Sequence, residues 1–245
     1  METAIQEHIA LCCKQLKLNQ EIAENCFDIQ GDTNQDYLLK VLRTEVEGRE
    51  QRRNNRFLKS AGFYSMKTFE GYSFEGIQIP NSITVDDIKK GRFIEKNENL
   101  ILYGNVGAGK THMAIATGVN ACAHGYKVGF YRTAALVNML NEKKKGGILG
   151  KFMKKLMTLD LLICDEWGFV PVDRDGAQLL FQVISEYYER KSLIITTNLE
   201  FSKWVNVFYS EQMTNAMIDR IIHYSHLLLF ERESYRTENS LMRKT

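Results

Sequence analysis

Several residue classes are scarce in this sequence, and each scarcity closes off a reading. There are only two prolines, Pro80 and Pro171. Neither falls inside a segment with helical or strand periodicity, so the regular elements run uninterrupted. The five cysteines, Cys12, Cys13, Cys26, Cys122 and Cys164, form no C-x-x-C pair and keep no spacing with histidine that makes a zinc site. A disulfide framework and a zinc module are thereby excluded, leaving reduced and mostly buried thiols. No apolar run approaches the ~18 residues of a membrane span. Met1-Glu-Thr-Ala-Ile-Gln-Glu-His8 has neither the basic start nor the apolar stretch of a secretory signal, so a cytoplasmic protein without a membrane partner is expected. Charge of one sign is lacking too. Lys and Arg number 32 against 30 Asp and Glu, a net +2 that announces no nucleic-acid partner unless the cations cluster. Internal repeats are absent.

The chain has 245 residues, 44% of them hydrophobic, which is enough for one large domain or a domain with a small appendage. Its character changes near residue 70. Before it, Ile5/Ile9/Cys12/Leu16 and Leu38/Leu42/Val46 repeat at helical spacing on either side of the turn-like Gly31-Asp-Thr-Asn34. After it, apolar runs 100–103, 127–131, 159–164, 193–197 and 226–230 alternate with helical patterns near 111–124, 133–144, 175–190 and 214–223. The predicted fold is α/β: a parallel five-stranded sheet flanked by helices over 71–245, preceded by a small helical domain over 1–70. Gly71-Tyr-Ser-Phe-Glu-Gly76 reads as the linker, with aromatics that either pack the junction or touch a base. Packing is the favoured reading of the two.

The strongest motif is Gly104-Asn105-Val106-Gly107-Ala108-Gly109-Lys110-Thr111, which fits G-x-x-x-x-G-K-[ST] between a strand and a helix. Glycines let successive backbone N–H groups close around phosphate oxygens, and the helix N-terminus adds partial positive charge. Lys110 is the cation for the β- and γ-phosphates, and the Thr111 hydroxyl a ligand for Mg²⁺. His112, directly after the octet, is grouped with this binding segment and not with the catalytic residues.

Asp160-Leu-Leu-Ile-Cys-Asp-Glu166 is an apolar strand that ends in two acids, at the sheet edge where α/β folds bind ligands. Asp165 is the candidate Mg²⁺ ligand. Glu166, one residue on and pointing differently, is the candidate general base for the attacking water. Thr196-Thr-Asn198 closes the next strand. Its Asn198 amide can meet the γ-phosphate or the water, or serve only as a turn residue.

In this order, the phosphate loop, Asp-Glu pair and terminal Asn resemble the Walker A, Walker B and first sensor of an AAA+ ATPase. Further segments match: Arg49-Glu-Gln-Arg52, Ala61-Gly-Phe63, Lys67-Thr-Phe-Glu70, Asp165-Glu-Trp-Gly-Phe-Val-Pro171, Thr197-Asn198 and Glu233-Ser-Tyr-Arg236. Together they resemble the IstB-like transposition helper ATPases, relatives of the helicase loader DnaC. The resemblance implies a P-loop NTPase AAA+ core that hydrolyses ATP with Mg²⁺ and an IstA-like transposase stimulated on target DNA. It also implies a homo-oligomer in which a neighbour supplies an arginine finger in trans. By position, Arg220 resembles that finger and Arg236 the second sensor. The short tail after Phe230 departs from AAA+ proteins that carry a C-terminal helical lid, and no lid is expected. Trp167 stands where relatives tend to carry a smaller aliphatic residue.

Two cation clusters are candidates for duplex DNA. Arg49, Arg52, Arg53, Arg56 and Lys59 share about a third of a helix circumference, against the alternative of a solvated face balanced by Glu45, Glu47 and Glu50. Lys143, Lys144, Lys145, Lys151, Lys154 and Lys155 surround Gly146-Gly147, either as a DNA-contacting insertion or as a flexible loop. Neither set suggests base-edge readout, so contact without sequence preference is expected. Two other functions fit the same residues: loading of a replicative helicase, and a non-hydrolysing scaffold that uses ATP for assembly on DNA.

Overall fold

The computed structural model describes residues 2–169 and 172–238. The chain divides into two compact units, Met1–Arg56 and Phe57–Thr245. The boundary falls inside a helix, ahead of the Gly71 linker, because Phe57, Leu58, Ala61, Phe63, Phe69, Tyr72 and Phe74 all pack into the core of the second unit.

The first unit holds α1 (Glu2–Gln15), α2 (Glu21–Asn25) and most of α3 (Asn34–Ser60). Its small core is Cys13, Ile22 and Cys26, with Ile9, Leu18 and Val41 against them. Glu45 is buried, accepts the Asn19 N–H at 2.8 Å and pairs with Arg49 and Arg52. The inward stripe of α3 is therefore the half-buried Tyr37 and Val41 with the buried Glu45. The expected stripe Leu38/Leu42/Val46 faces outward, at 55%, 48% and 56% exposure. Spacing i, i+4 marks a stripe but not which stripe meets a neighbour.

The second unit continues through β1 (Ile77–Gln78), α4 (Val85–Lys90), α5 (Arg92–Glu95), β2 (Asn99–Gly104), α6 (Lys110–Ala123), β3 (Val128–Arg132) and α7 (Thr133–Lys145). Then come α8 (Leu149–Met157), β4 (Leu161–Asp165), α9 (Arg174–Tyr187), β5 (Ser192–Thr197), a 3₁₀ turn (Phe201–Asn206), α10 (Glu211–His223), β6 (Ser225–Phe230) and α11 (Tyr235–Glu238). The sheet order is β1-β6-β2-β5-β4-β3, with five parallel strands as predicted and β1 added antiparallel at the edge. β1 is two residues long, too short to show alternation in sequence.

The strands are nearly continuous apolar runs because both faces are covered. Leu100, Leu102, Leu161, Ile163 and Ile194 enter one core with α4, α5 and α6. Ile101, Leu162, Cys164, Leu193 and Ile195 enter the other with α7, α8, α9 and α10. Of the two readings of the segment after α7, the flexible loop is not what forms: residues 149–157 make α8, with Phe152, Met153 and Leu156 buried against that second core. Among the described residues, no helix is long and apolar enough to cross a membrane.

Candidate nucleotide site

Parallel strands bring Gly104, Arg132, Asp165 and Thr197 to one sheet edge, where β2 is flanked directly by β5 and β6. The octet begins at the end of β2 and feeds α6. Gly107 and Gly109 have φ of 85° and 90°, left-handed backbone that a side chain disfavours, and Gly109 is the N-cap from which α6 starts at Lys110. The Lys110 ammonium donates to the carbonyls of Gly104 and Asn105, both at 2.7 Å. It is thereby held across the mouth of the loop, over the N-terminus of a 14-residue helix.

Asp165 is 1% exposed, and its Oδ1 accepts the hydroxyls of Thr111 at 2.8 Å and Thr196 at 2.6 Å. Thr133 Oγ1 donates to the Asp165 carbonyl at 2.9 Å, tying β4 to the start of α7. A hydroxyl and a carboxylate oxygen in contact are hard donors that fit Mg²⁺. The described residues contain no cluster of three or more His, Cys, Asp or Glu that would cage a metal alone.

Glu166 has φ 58° and its side chain is 49% exposed. The left-handed backbone turns the second acid away from the first and into solvent, while Thr196 Oγ1 accepts the Glu166 N–H at 3.0 Å. Arg132 Nε lies 3.7 Å from its carboxylate. Asn198 is exposed, one residue past the end of β5. Thr197 Oγ1 donates to the Trp167 carbonyl at 2.9 Å, and Trp167 itself is buried against Trp204 and Phe208.

Arg220 lies in the last turn of α10, which ends at His223 just before β6. β6 runs parallel to β2, so this turn is at the sheet edge opposite Gly104. Its guanidinium donates to the Ala216 carbonyl at 2.8 Å and sits 5.0 Å from the Phe181 ring centre. Among the described residues it forms no ion pair with Asp219 or Glu211. Arg236 falls in α11, its side chain outside the described residues. His112 Nε2 is 2.8 Å from the Thr68 carbonyl and its ring rests on Tyr72, with centroids 4.8 Å apart.

Residues 14–243 match the model of a family described as IstB-like ATP binding protein. The chain belongs to that family. It is 35% identical over 201 residues to the insertion sequence IS21 putative ATP-binding protein of Pseudomonas aeruginosa, covering 82% of this chain and 76% of that one. It is 32% identical over 202 residues to its IS232 counterpart from Bacillus thuringiensis subsp. berliner, covering 82% and 81%. Among solved structures, the DnaC helicase loader aligns at TM-score 0.50 with 22% identity over 71% of this chain and 98% of that chain. The replication initiator DnaA bound to AMPPCP and single-stranded DNA aligns at 0.54 with 22% identity over 68% of this chain. The chain spans about half the length of that DnaA chain (50%). These likenesses establish an AAA+ fold for this IstB-like chain.

Two residues of the site carry no sequence signal. Thr196 reads as one more β-former in a strand, yet its hydroxyl serves both acids. Arg232 reads as a surface charge between two glutamates, yet it donates to the Ala108 carbonyl of the loop at 2.6 Å. The cation clusters are distributed unevenly. In the first unit, Arg49 and Arg52 are drawn to Glu45, and Arg49 also donates to the Lys17 carbonyl, while Arg53 and Arg56 are exposed. In the second unit, Lys144 pairs with Asp175 at 3.4 Å, and Lys151, Lys154 and Lys155 line the exposed face of α8.

Proposed function

We propose that this chain binds ATP with Mg²⁺ and hydrolyses it, and that as an ATP-dependent oligomer on duplex DNA it recruits or stimulates a transposase. One observation carries the hydrolytic reading: the buried Asp165 bonded to Thr111, with a solvent-facing Glu166 one residue beyond it. Mg²⁺, when bound by Thr111 and Asp165, supplies charge neutralisation for the β- and γ-phosphate oxygens. The loop amides and Lys110 bind the triphosphate. Glu166 accepts the proton of a water whose oxygen attacks the γ-phosphorus as the bond to the β,γ-bridging oxygen breaks, giving ADP and phosphate. Asn198 orients that water. Arg220 of a neighbouring copy and Arg236 meet the charge on the transferred group.

The DNA half of the proposal is supported by the exposed lysine face of α8 and the lysines closing α7. The helical first unit, with Arg53 and Arg56 exposed, serves as a second DNA- or partner-binding element. The insertion-sequence setting of the relatives points to a transposase as partner.

Glu166→Gln separates catalysis from assembly. Hydrolysis falls by at least about a hundredfold, the scale of one general base, while ATP-bound oligomers persist; unchanged turnover removes Glu166 from its role. Lys110→Ala abolishes nucleotide binding. Anisotropy with labelled duplex and single-stranded DNA at two salt concentrations tests the partner. ATP-dependent assembly preferring duplex supports the transposition helper, and assembly confined to single strands replaces it with helicase loading.

A further inference from the structure

The residues after β6 lie on the outer side of the phosphate loop. The Tyr235 N–H donates to the Gly107 carbonyl at 3.2 Å, Arg232 Nε to the Ala108 carbonyl at 2.6 Å, and the Tyr72 hydroxyl to the Gly109 carbonyl at 3.2 Å. Arg232 also donates to the Ser73 carbonyl at 2.9 Å and to the Tyr72 hydroxyl at 2.8 Å, its guanidinium 5.1 Å from the Tyr72 ring centre. A Cβ built on Gly109 would strike that guanidinium, and one on Gly107 would strike Ser234. Linker and tail are themselves joined, since Glu231 N–H donates to the Gly76 carbonyl at 2.9 Å.

In a planar trans peptide the C=O and the following N–H point in opposite directions. Holding the Ala108 carbonyl on the side of Arg232 turns the Gly109 N–H, in the same peptide, to the opposite side, where a phosphate can accept it, while the Ala108 N–H donates within the loop to the Asn105 carbonyl at 3.3 Å. Donors fixed before the ligand arrives bind it without the cost of ordering the loop.

Building on the proposed ATP site, we infer that Arg232, braced by Tyr72, is a positioning residue that holds the phosphate loop in its binding conformation. It acts on affinity for the phosphate chain and not on the hydrolytic step. Arg232 provides three donated bonds from one planar group, which tie the tail to both the loop and the linker.

The test uses the full chain and fluorescent ATP and ADP, with Arg232→Ala, Arg232→Lys, Tyr72→Phe and Lys110→Ala compared by titration, steady-state hydrolysis and thermal melting. Arg232→Ala weakens ATP and ADP alike by about tenfold, the scale of one hydrogen bond from a charged donor. KM rises accordingly, while kcat stays within about twofold and competition by adenosine is unchanged. Arg232→Lys recovers most of the loss, because one ammonium still reaches the Ala108 carbonyl. Tyr72→Phe keeps the ring and loses about threefold, the scale of a neutral hydrogen bond.

Wild-type affinity in Arg232→Ala overturns the inference, as does a lowered melting temperature with unchanged affinity in the folded protein. Should Arg232→Ala fail to fold, wild-type affinity in Tyr72→Phe overturns it. Wild-type affinity in Lys110→Ala overturns the phosphate-loop reading itself, whereas loss in Lys110→Ala with none in Arg232→Ala defeats the inference alone.

Discussion

A single hydroxyl at the end of β5 holds both acids of the site. Thr196 Oγ1 donates to Asp165 Oδ1 and accepts the Glu166 N–H, whose left-handed backbone needs an outside restraint. Thr196→Val keeps the shape and removes both bonds. The orphaned Glu166 N–H then costs about 1–3 kcal/mol, read as a lower denaturation midpoint, and more Mg²⁺ is needed for half-maximal hydrolysis. Thr196→Ser restores both, and a wild-type Mg²⁺ dependence in Thr196→Val refutes this role. Tyr72 gives a second prediction. Burial pushes its hydroxyl from the ordinary 10.0 up to about 12, with the Arg232 charge acting against the rise. A raised acid pKa means the folded state holds the proton more tightly, so this contribution to stability is full below pH 10 and is lost as pH climbs from 10 towards about 12. Ultraviolet titration of wild type against Tyr72→Phe therefore shows no difference in tyrosinate signal until pH approaches 12. At this scale the octet and Asp165-Glu166 were legible, because phosphate and metal chemistry admit few residue types. Thr196 and Arg232 were not, because their partners are distant in sequence and their residue types are common in strands and on surfaces.

The elements were legible where periodicity ran long enough. The five parallel strands and helices α6, α7, α9 and α10 follow from apolar runs and stripes, whereas β1 pairs only Ile77 with Phe230 and Gln78 with Leu229 and leaves no pattern. α8 escaped because Gly146-Gly147 just before it and the lysines on both sides drew the reading, although Leu149, Phe152, Met153 and Leu156 repeat at helical spacing. Its two faces make separable predictions. Leu156→Ala opens a cavity in a fully buried position and costs about 2–5 kcal/mol in a denaturant melt. Replacing Lys151, Lys154 and Lys155 together by Ala leaves stability within about 0.5 kcal/mol but weakens duplex binding and flattens its log–log salt dependence by up to about 0.9 per lysine that contacts a phosphate. An unchanged salt slope removes α8 from the DNA surface.

For the whole molecule, the decisive fact is that Arg220 and the phosphate loop occupy opposite sheet edges. That separation is why we propose the finger as one supplied by a neighbouring subunit through a head-to-tail contact. The division into units was legible as a change of pattern but not in position. Residues 57–70 contribute Phe57, Ala61 and Phe63 to the sheet core, although the change of sequence pattern falls only near residue 70. Mixing two inactive proteins tests the shared site. Glu166→Gln subunits bind ATP and offer an intact Arg220; Arg220→Ala subunits offer an intact Glu166. In a random equimolar assembly about one interface in four joins an intact glutamate to an intact arginine, so hydrolysis returns to about a quarter of wild type at saturating ATP. Complementation is possible only across a subunit boundary. A mixture as inactive as its components, with mixed oligomers verified by differential labelling, excludes Arg220 as a residue donated in trans and confines its role to the Ala216 and Phe181 contacts within its own chain.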